Sequence, residues 1–395
     1  MRLEAVYLRS LCASTLKTMP NSLVMKRTYL SLLCLAALLF SLHACKSAEK
    51  AARKGQNLDI IAYYSGNGRD LQQYHWEQLS QVIFCFCHLQ GNLLKVDNAG
   101  DSLVIRQLVA LKTQYPKLKV LLSLGGWGGC LGCSDAFSSV SGRHEFALSV
   151  KSLLDTYGAD GIDLDWEYPA IEGYPGHPYK PEDKDNFTKL VQELRQILGK
   201  NAEISFAAGG FDSFFTQSVA WSSVMPLVNR VNLMSYDLVN GYSKVTGHHT
   251  PLRSNEKKSA SVEQGVRSLR SLGVPASKIV VGAAFYARTW VGVENINNGL
   301  YQAGQFKSFV PFNEFDAYFK PENGFVFYRD PVSQAPYAYS PTRQEFATFD
   351  DATAVEAKTK YAQKNGLGGI MFWQLGSDKA DKGLLQAIFT ARNAP

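Results

Sequence analysis

Asp160-Gly161-Ile162-Asp163-Leu164-Asp165-Trp166-Glu167-Tyr168-Pro169 sets three carboxylates at alternate positions of an otherwise apolar run. A β-strand sends successive side chains to opposite faces, so Asp163, Asp165 and Glu167 share one face while Ile162, Leu164 and Trp166 share the other. Packing alone gives no reason for acids there. Three like charges within about 13 Å of strand cannot all ionise in a confined, half-dry place, so the group holds at least one proton between its members. Asp160, of the opposite parity, is expected to point away and serve as a structural hydrogen-bonding group.

On either side of this strand, short apolar runs recur at Ile60–Tyr64, Gln81–Phe86, Lys119–Leu124, Glu203–Ala208, Arg230–Tyr236, Lys278–Phe285 and Gly369–Leu375. Helical periodicity fills the intervals, as in Phe146/Val150/Leu153/Leu154/Tyr157 closed by Gly158 and Val262/Val266/Leu269/Leu272 closed by Gly273. Eight βα units in roughly 330 residues predict an α/β fold, a (β/α)8 TIM barrel, whose functional residues gather where strands end and loops begin. The barrel is expected over residues 58–291 and 345–395. Residues 292–344 break the rhythm with a dense set of aromatics, prolines and glycines, and read as a small α+β lobe inserted between strands seven and eight. Those aromatics serve first as the lobe's own core.

The formal charge of +6 belongs largely to the N-terminal segment, where Arg2, Arg9, Lys17, Lys26 and Arg27 face Glu4 alone. The remaining chain is nearly neutral, which offers no footprint for nucleic acid. With 12% aromatic residues, a neutral ring-shaped ligand such as a sugar fits better. Lys26 and Arg27 precede an apolar stretch from Tyr29 to Leu42 that ends in Leu42-His43-Ala44-Cys45, an export signal too short to span a bilayer. It resembles a bacterial lipoprotein signal, which implies a lipid anchor at Cys45, a start at Met25 and an exported, membrane-anchored protein; an ordinary cleaved secretion signal is the alternative. Residues 1–45 are then the export segment and 46–57 a tether. Among the remaining cysteines, Cys130 and Cys133 are expected to form a local disulfide in a Gly-rich loop, and Cys85 and Cys87 to be buried small hydrophobes.

Further motifs accompany the acid strand: Ser123-Leu124-Gly125-Gly126-Trp127, Met234-Ser235-Tyr236-Asp237, Phe285-Tyr286-Ala287-Arg288, and Gly368-Gly369-Ile370-Met371-Phe372-Trp373. With Asp160-x-x-Asp163-x-Asp165-x-Glu167, this set resembles family 18 glycoside hydrolases, the chitinase family, over about residues 58–390. Ala287 stands where the family's strand-seven segment has glycine.

The resemblance implies retaining, substrate-assisted cleavage of β-1,4-linked N-acetylglucosamine, in chitin or its oligosaccharides, with no cofactor and no metal. It assigns Glu167 as acid and then base, Asp165 to the substrate acetamide, Asp163 as proton partner of Asp165, and Tyr236 as donor to the acetamide oxygen. Trp373 becomes the floor under the sugar. Asp237, Met234, Trp127, Phe86, Gly126, Tyr168, Arg288 and Tyr286 complete the expected binding surface of a monomer. An endo-β-N-acetylglucosaminidase acting on N-glycans, or a chitin-binding lectin, are the rival readings; lectins of this kind lack the acid that Glu167 supplies. A hard-cation site is disfavoured because calcium-loop spacing is absent. His248-His249 is read as an ordinary loop.

Overall fold

The eight apolar runs lie side by side in one parallel sheet that closes on itself, in a computed structural model that describes residues 58–394. The export segment, the tether and Cys45 fall outside the described residues. In chain order the strands are β1 (Asp59–Tyr64), β2 (Gln81–Gln90), β3 (Leu93–Lys95), β4 (Lys119–Gly125), β5 (Gly161–Asp165), β6 (Glu203–Gly209), β7 (Arg230–Met234) and β8 (Ile279–Ala284); β14 (Gly369–Trp373) completes the barrel. β1 pairs with both β14 and β2, which leaves no open edge, while β3 only extends β2 as a hairpin. The fold is the expected TIM barrel.

Strand parity sorts the core into two shells. Ile60, Val82, Val120, Ile162, Ile204, Val231, Val281 and Ile370 point outward into the layer beneath the helices, whereas Ile61, Tyr63, Ile83, Cys85, Leu121, Ala207, Val280 and Met371 fill the lumen. A strand buried on both faces should read as continuous apolar residues, so each polar side chain of lumen parity stands out. Ser139 caps the helix Val140–Tyr157 by accepting from the Gly142 N–H, and Gly158 ends it at φ 75°, a left-handed conformation that glycine adopts without strain. A disulfide joins Cys130 and Cys133, and Cys85 and Cys87 are free and buried.

A second, five-stranded antiparallel sheet forms the lobe, in the order β10-β9-β13-β12-β11, with β9 (Tyr286–Val291), β10 (Gln305–Pro311), β11 (Val326–Asp330), β12 (Ala335–Ser340) and β13 (Glu345–Thr348). It begins earlier and ends later than the 292–344 read from the sequence. The extended apolar run that supplies β8 passes through Phe285 into β9 with no glycine or proline to mark the change of sheet. Tyr286 and Arg288 are therefore lobe residues, not part of barrel strand seven. The lobe's aromatics mostly pack on one another: Trp290, Tyr337, Tyr339 and Phe346 on one face, Phe315, Phe319 and Phe349 on the other.

Candidate active site

Asp163 lies in the middle of β5, fully buried, opposite Ser123 on β4 and Ser205 on β6. One carboxylate oxygen accepts from the Tyr63 hydroxyl (3.1 Å) and the Ser123 hydroxyl (3.0 Å); the other accepts from the Ser205 hydroxyl (2.6 Å) and the Asn232 amide (3.1 Å). Burial pushes its pKa up and these four donors work against that rise.

Asp165, the last residue of β5, differs in every respect but burial. Its Oδ1 is sealed from solvent and has no hydrogen-bond partner among the described residues. Burial, then the nearby charges of Glu167 and Asp163, drive it well above the usual carboxylate range. Asp163 and Asp165 thus do not share a proton evenly: four donors favour the anion on Asp163, and the orphaned carboxyl of Asp165 is the better proton holder.

Glu167 stands two residues past the strand's end, at the barrel rim, only 9% exposed. Its pKa is raised to about 7, chiefly by burial, with Asp237 adding to the rise and a hydrogen bond from Tyr168 opposing it. An acid with that affinity can both give and take a proton near neutrality.

Tyr236 and Asp237 follow β7. The Tyr236 hydroxyl lies 3.9 Å from the Met371 sulfur in the lumen, and burial followed by the charges of Asp165, Asp237 and Glu167 keeps it firmly protonated. Arg288 reaches across from β9 to grip both carboxylate oxygens of Asp237, with Nη2 at 2.6 Å from Oδ2. His249 Nδ1 approaches from behind at 3.4 Å. Burial works to raise Asp237, but Arg288 and His249 outweigh it and hold the group well below the ordinary range.

Trp373 ends β14 with Phe86 stacked on it, ring centroids 5.7 Å apart at 17°, and Tyr63 tilted beside it at 6.1 Å. Gly126 makes that stack possible: its φ is +81°, and a Cβ there would come within 2.4 Å of the Phe86 ring. Trp127 is 46% exposed and surrounded by Tyr168, Tyr174 and Tyr242 at 6.3, 5.8 and 6.4 Å. Met234 and Tyr168 border the lumen cluster.

Asp163, Asp165, Glu167, Tyr236, Met234, Phe86, Tyr168 and Trp373 are thus brought to one end of the lumen, with Asp237 and Arg288 at its lobe side and Trp127 on the rim. Tyr286 is the exception, because it is buried between Tyr236 (6.3 Å, edge-on) and Phe309 (4.5 Å, stacked) and offers no free surface to a ligand. Asp160 accepts from the Val120 N–H and Lys112, as a structural residue would. A cavity of about 610 Å³ lined by His88, Gly128, Leu131 and Asp135 takes in none of Asp163, Asp165 and Glu167.

Four groups escaped the sequence reading. Tyr63, Ser205 and Asn232, which with Ser123 cage Asp163, are polar residues of lumen parity in apolar strands, the same signal that isolated the acids. His249 looked like loop; nothing local announces its contact with Asp237.

The family model for "Glycosyl hydrolases family 18" matches residues 59–378. This chain belongs to glycosyl hydrolase family 18. It is 33% identical to chitinase A1 of Niallia circulans over 70% of this chain and 43% of that protein, and 31% identical to chitotriosidase-1 of Mus musculus over 76% and 67%. The chain therefore spans less than half of that bacterial chitinase. A family 18 N-acetylglucosaminidase from Paenibacillus barengoltzii superposes with a TM-score of 0.77 at 33% identity, covering 85% of this chain and all of that one. Oviduct-specific glycoprotein of Mesocricetus auratus is 30% identical over 76% of the chain, so sequence likeness within this family extends beyond proteins named as chitinases.

Proposed function

We propose that this family 18 domain hydrolyses the β-1,4 bonds of N-acetylglucosamine chains, chitin or its oligosaccharides, with retention and through the substrate's own acetamide. One observation carries the reading: a buried acid, whose pKa burial raises to about 7, follows by two residues a buried carboxyl that has an unused hydrogen-bonding oxygen. Protonated Glu167 donates to the glycosidic oxygen while the acetamide carbonyl oxygen attacks the anomeric carbon. The bond to the leaving sugar breaks and an oxazolinium ion forms. Asp165 accepts from the acetamide N–H, which fills its vacant oxygen and fixes the acetamide carbonyl oxygen for attack. Tyr236 donates to the acetamide oxygen, and Trp373 carries the apolar face of the pyranose. Glu167, now ionised, takes a proton from water as that water opens the ion, and the acid is restored. Asp163 stays anionic throughout in its cage, and its charge favours the protonated form of Asp165.

The reaction needs an acid, and Glu167 supplies it, which argues against a lectin. Product mass analysis after incubation with a chitin tetramer and with a high-mannose glycoprotein tests the reading: chito-oligosaccharide products are expected, and cleavage of the glycoprotein alone would overturn it. We infer also that the protein is exported and anchored through Cys45. Detergent-phase partition of the full chain, lost in Cys45→Ala, is the expected result; an aqueous wild-type protein defeats it.

A further inference from the structure

The segment that carries Trp127 cannot hold its own shape. Five of the nine residues from Gly125 to Cys133 are glycine, and Gly125, Gly126 and Gly128 adopt φ of +106°, +81° and +82°. Glycine has more conformational freedom to lose than any other residue, so order here must be imposed from outside. Backbone hydrogen bonds impose part of it: the Gly126 N–H donates to the Asp165 carbonyl (2.9 Å), the Gly129 N–H to the Gly126 carbonyl (2.8 Å) and the Cys133 N–H to the Cys130 carbonyl (3.0 Å).

The Cys130–Cys133 disulfide closes the far end of this segment, and it is fastened to more than its own loop. A Cβ on Gly125 would come within 2.3 Å of the Asp165 carbonyl oxygen and 3.2 Å of Cys130 Sγ, so the buried sulfur packs against the strand end that faces Asp165. Buried His177, from the loop that follows Glu167, donates its Nε2 hydrogen to the Cys130 carbonyl at 2.9 Å. Ser134, next to Cys133, donates to Asp183 at 3.0 Å in the first turn of the helix Asp183–Leu198, and Lys180 pairs with Asp135 at 2.5 Å. The loop from Glu167 to Asp183 is therefore anchored on the disulfide segment. That loop also carries Tyr168 and Tyr174, the rings that flank Trp127.

The size of the covalent ring tells what the bond is for. With a sequence separation of 3 it restricts the unfolded chain little, so its effect on global stability lies at the low end for disulfides. Its effect on this glycine-rich rim is direct.

We propose that Cys130 and Cys133 are positioning residues for the hydrolysis: their disulfide holds the Trp127 segment and the loop after Glu167 in one arrangement, and the cleft is complete only in the oxidised chain. The inference rests on the saccharide-hydrolase reading above. The bond forms by exchange with a disulfide oxidant: the two thiols give up two protons and two electrons, and the oxidant's disulfide becomes two thiols. Both sulfurs are buried, so neither meets substrate.

The test compares oxidised wild type, Cys130→Ala/Cys133→Ala, and wild type refolded in excess dithiothreitol before and after reoxidation with oxidised glutathione. Each is assayed on the chitin tetramer, with calorimetric tetramer binding and thermal melting in parallel. In the double variant KM should rise about five-fold or more while kcat moves by less than about two-fold, and the melting temperature should drop by only a few degrees. Reduced wild type should match the variant, and reoxidation should restore it. Dithiothreitol should leave the variant as it is. Unchanged KM and binding in both the variant and the reduced wild type overturn the proposal. If the alanine pair fails to fold, the reduced wild type decides; failure of both to fold overturns the proposal as well, because the bond would then support the whole barrel. A wild type that binds the tetramer without cutting it defeats the hydrolytic reading instead, and the ratio of binding between oxidised and reduced chains still decides the role of the disulfide.

Discussion

The lower and upper halves of the acid strand meet the same problem, a carboxyl out of water, with opposite solutions. Below, four donors converge on Asp163 and satisfy both of its oxygens. Above, Asp165 and Glu167 are buried with too few partners, and their proton affinities climb. A satisfied buried anion stabilises a unique structure, whereas an unsatisfied one is held ready for a partner that arrives later. The contrast separates the part of the lumen that holds the barrel together from the part proposed above to do the chemistry.

The strongest challenge to that division is Glu167→Gln. It should cut kcat by about a thousand-fold or more while calorimetric oligosaccharide binding persists, since only the proton donor is lost; residual turnover near wild type would place the acid elsewhere. Next come the two aspartates, compared directly. Asp163→Asn brings amide hydrogens into a site already crowded with donors and should cost about 3 kcal/mol of stability as well as activity. Asp165→Asn should lower kcat by about a hundred-fold with no loss of melting temperature. Equal thermal penalties in the two variants would erase the contrast.

A smaller effect is the pH profile. The proposed mechanism needs Glu167 protonated in the free enzyme, so kcat/KM should fall about ten-fold per pH unit above about 7. An alkaline limb that persists unchanged in an active variant lacking the Asp237 charge, Asp237→Asn, would deny that Asp237 contributes to it.

The smallest is thermodynamic. The folded-state pKa of Glu167 lies above its ordinary value of 4.5, so its contribution to stability is complete at low pH and is lost as pH rises through about 7. Glutamine does not titrate. The melting temperature of Glu167→Gln relative to wild type should therefore rise by a few degrees between pH 5 and pH 8, and a flat difference would mean the carboxyl is better solvated than its burial indicates.

Parity and the breaks between runs were enough to read the barrel, its strand order and the face of the acids from residues alone, because a strand buried on both sides tolerates a polar side chain only for cause. The cage around Asp163 was legible by the same rule in Tyr63, Ser205 and Asn232. The lobe boundary was not: β8 and β9 form one extended apolar stretch, and only the partners of each half tell them apart. The Asp237, Arg288 and His249 cluster joins the segment after β7 to a lobe strand, and its assembly depends on how the lobe sits on the rim, which no local pattern encodes. The burial of Tyr286 has the same origin, as Phe309 comes from the neighbouring strand to cover it.

The grip of Arg288 on Asp237 ties proton chemistry to an inserted sheet. Asp237 is one of the charges that set the acidity of Glu167, and its counter-ion comes from β9, outside the barrel. Exchanging the side chain that this lobe strand presents alters the field at the acid while every lumen residue stays as it is. The insertion is thus a place where substitution can retune the acidity at the barrel mouth without disturbing the strand that carries the three acids.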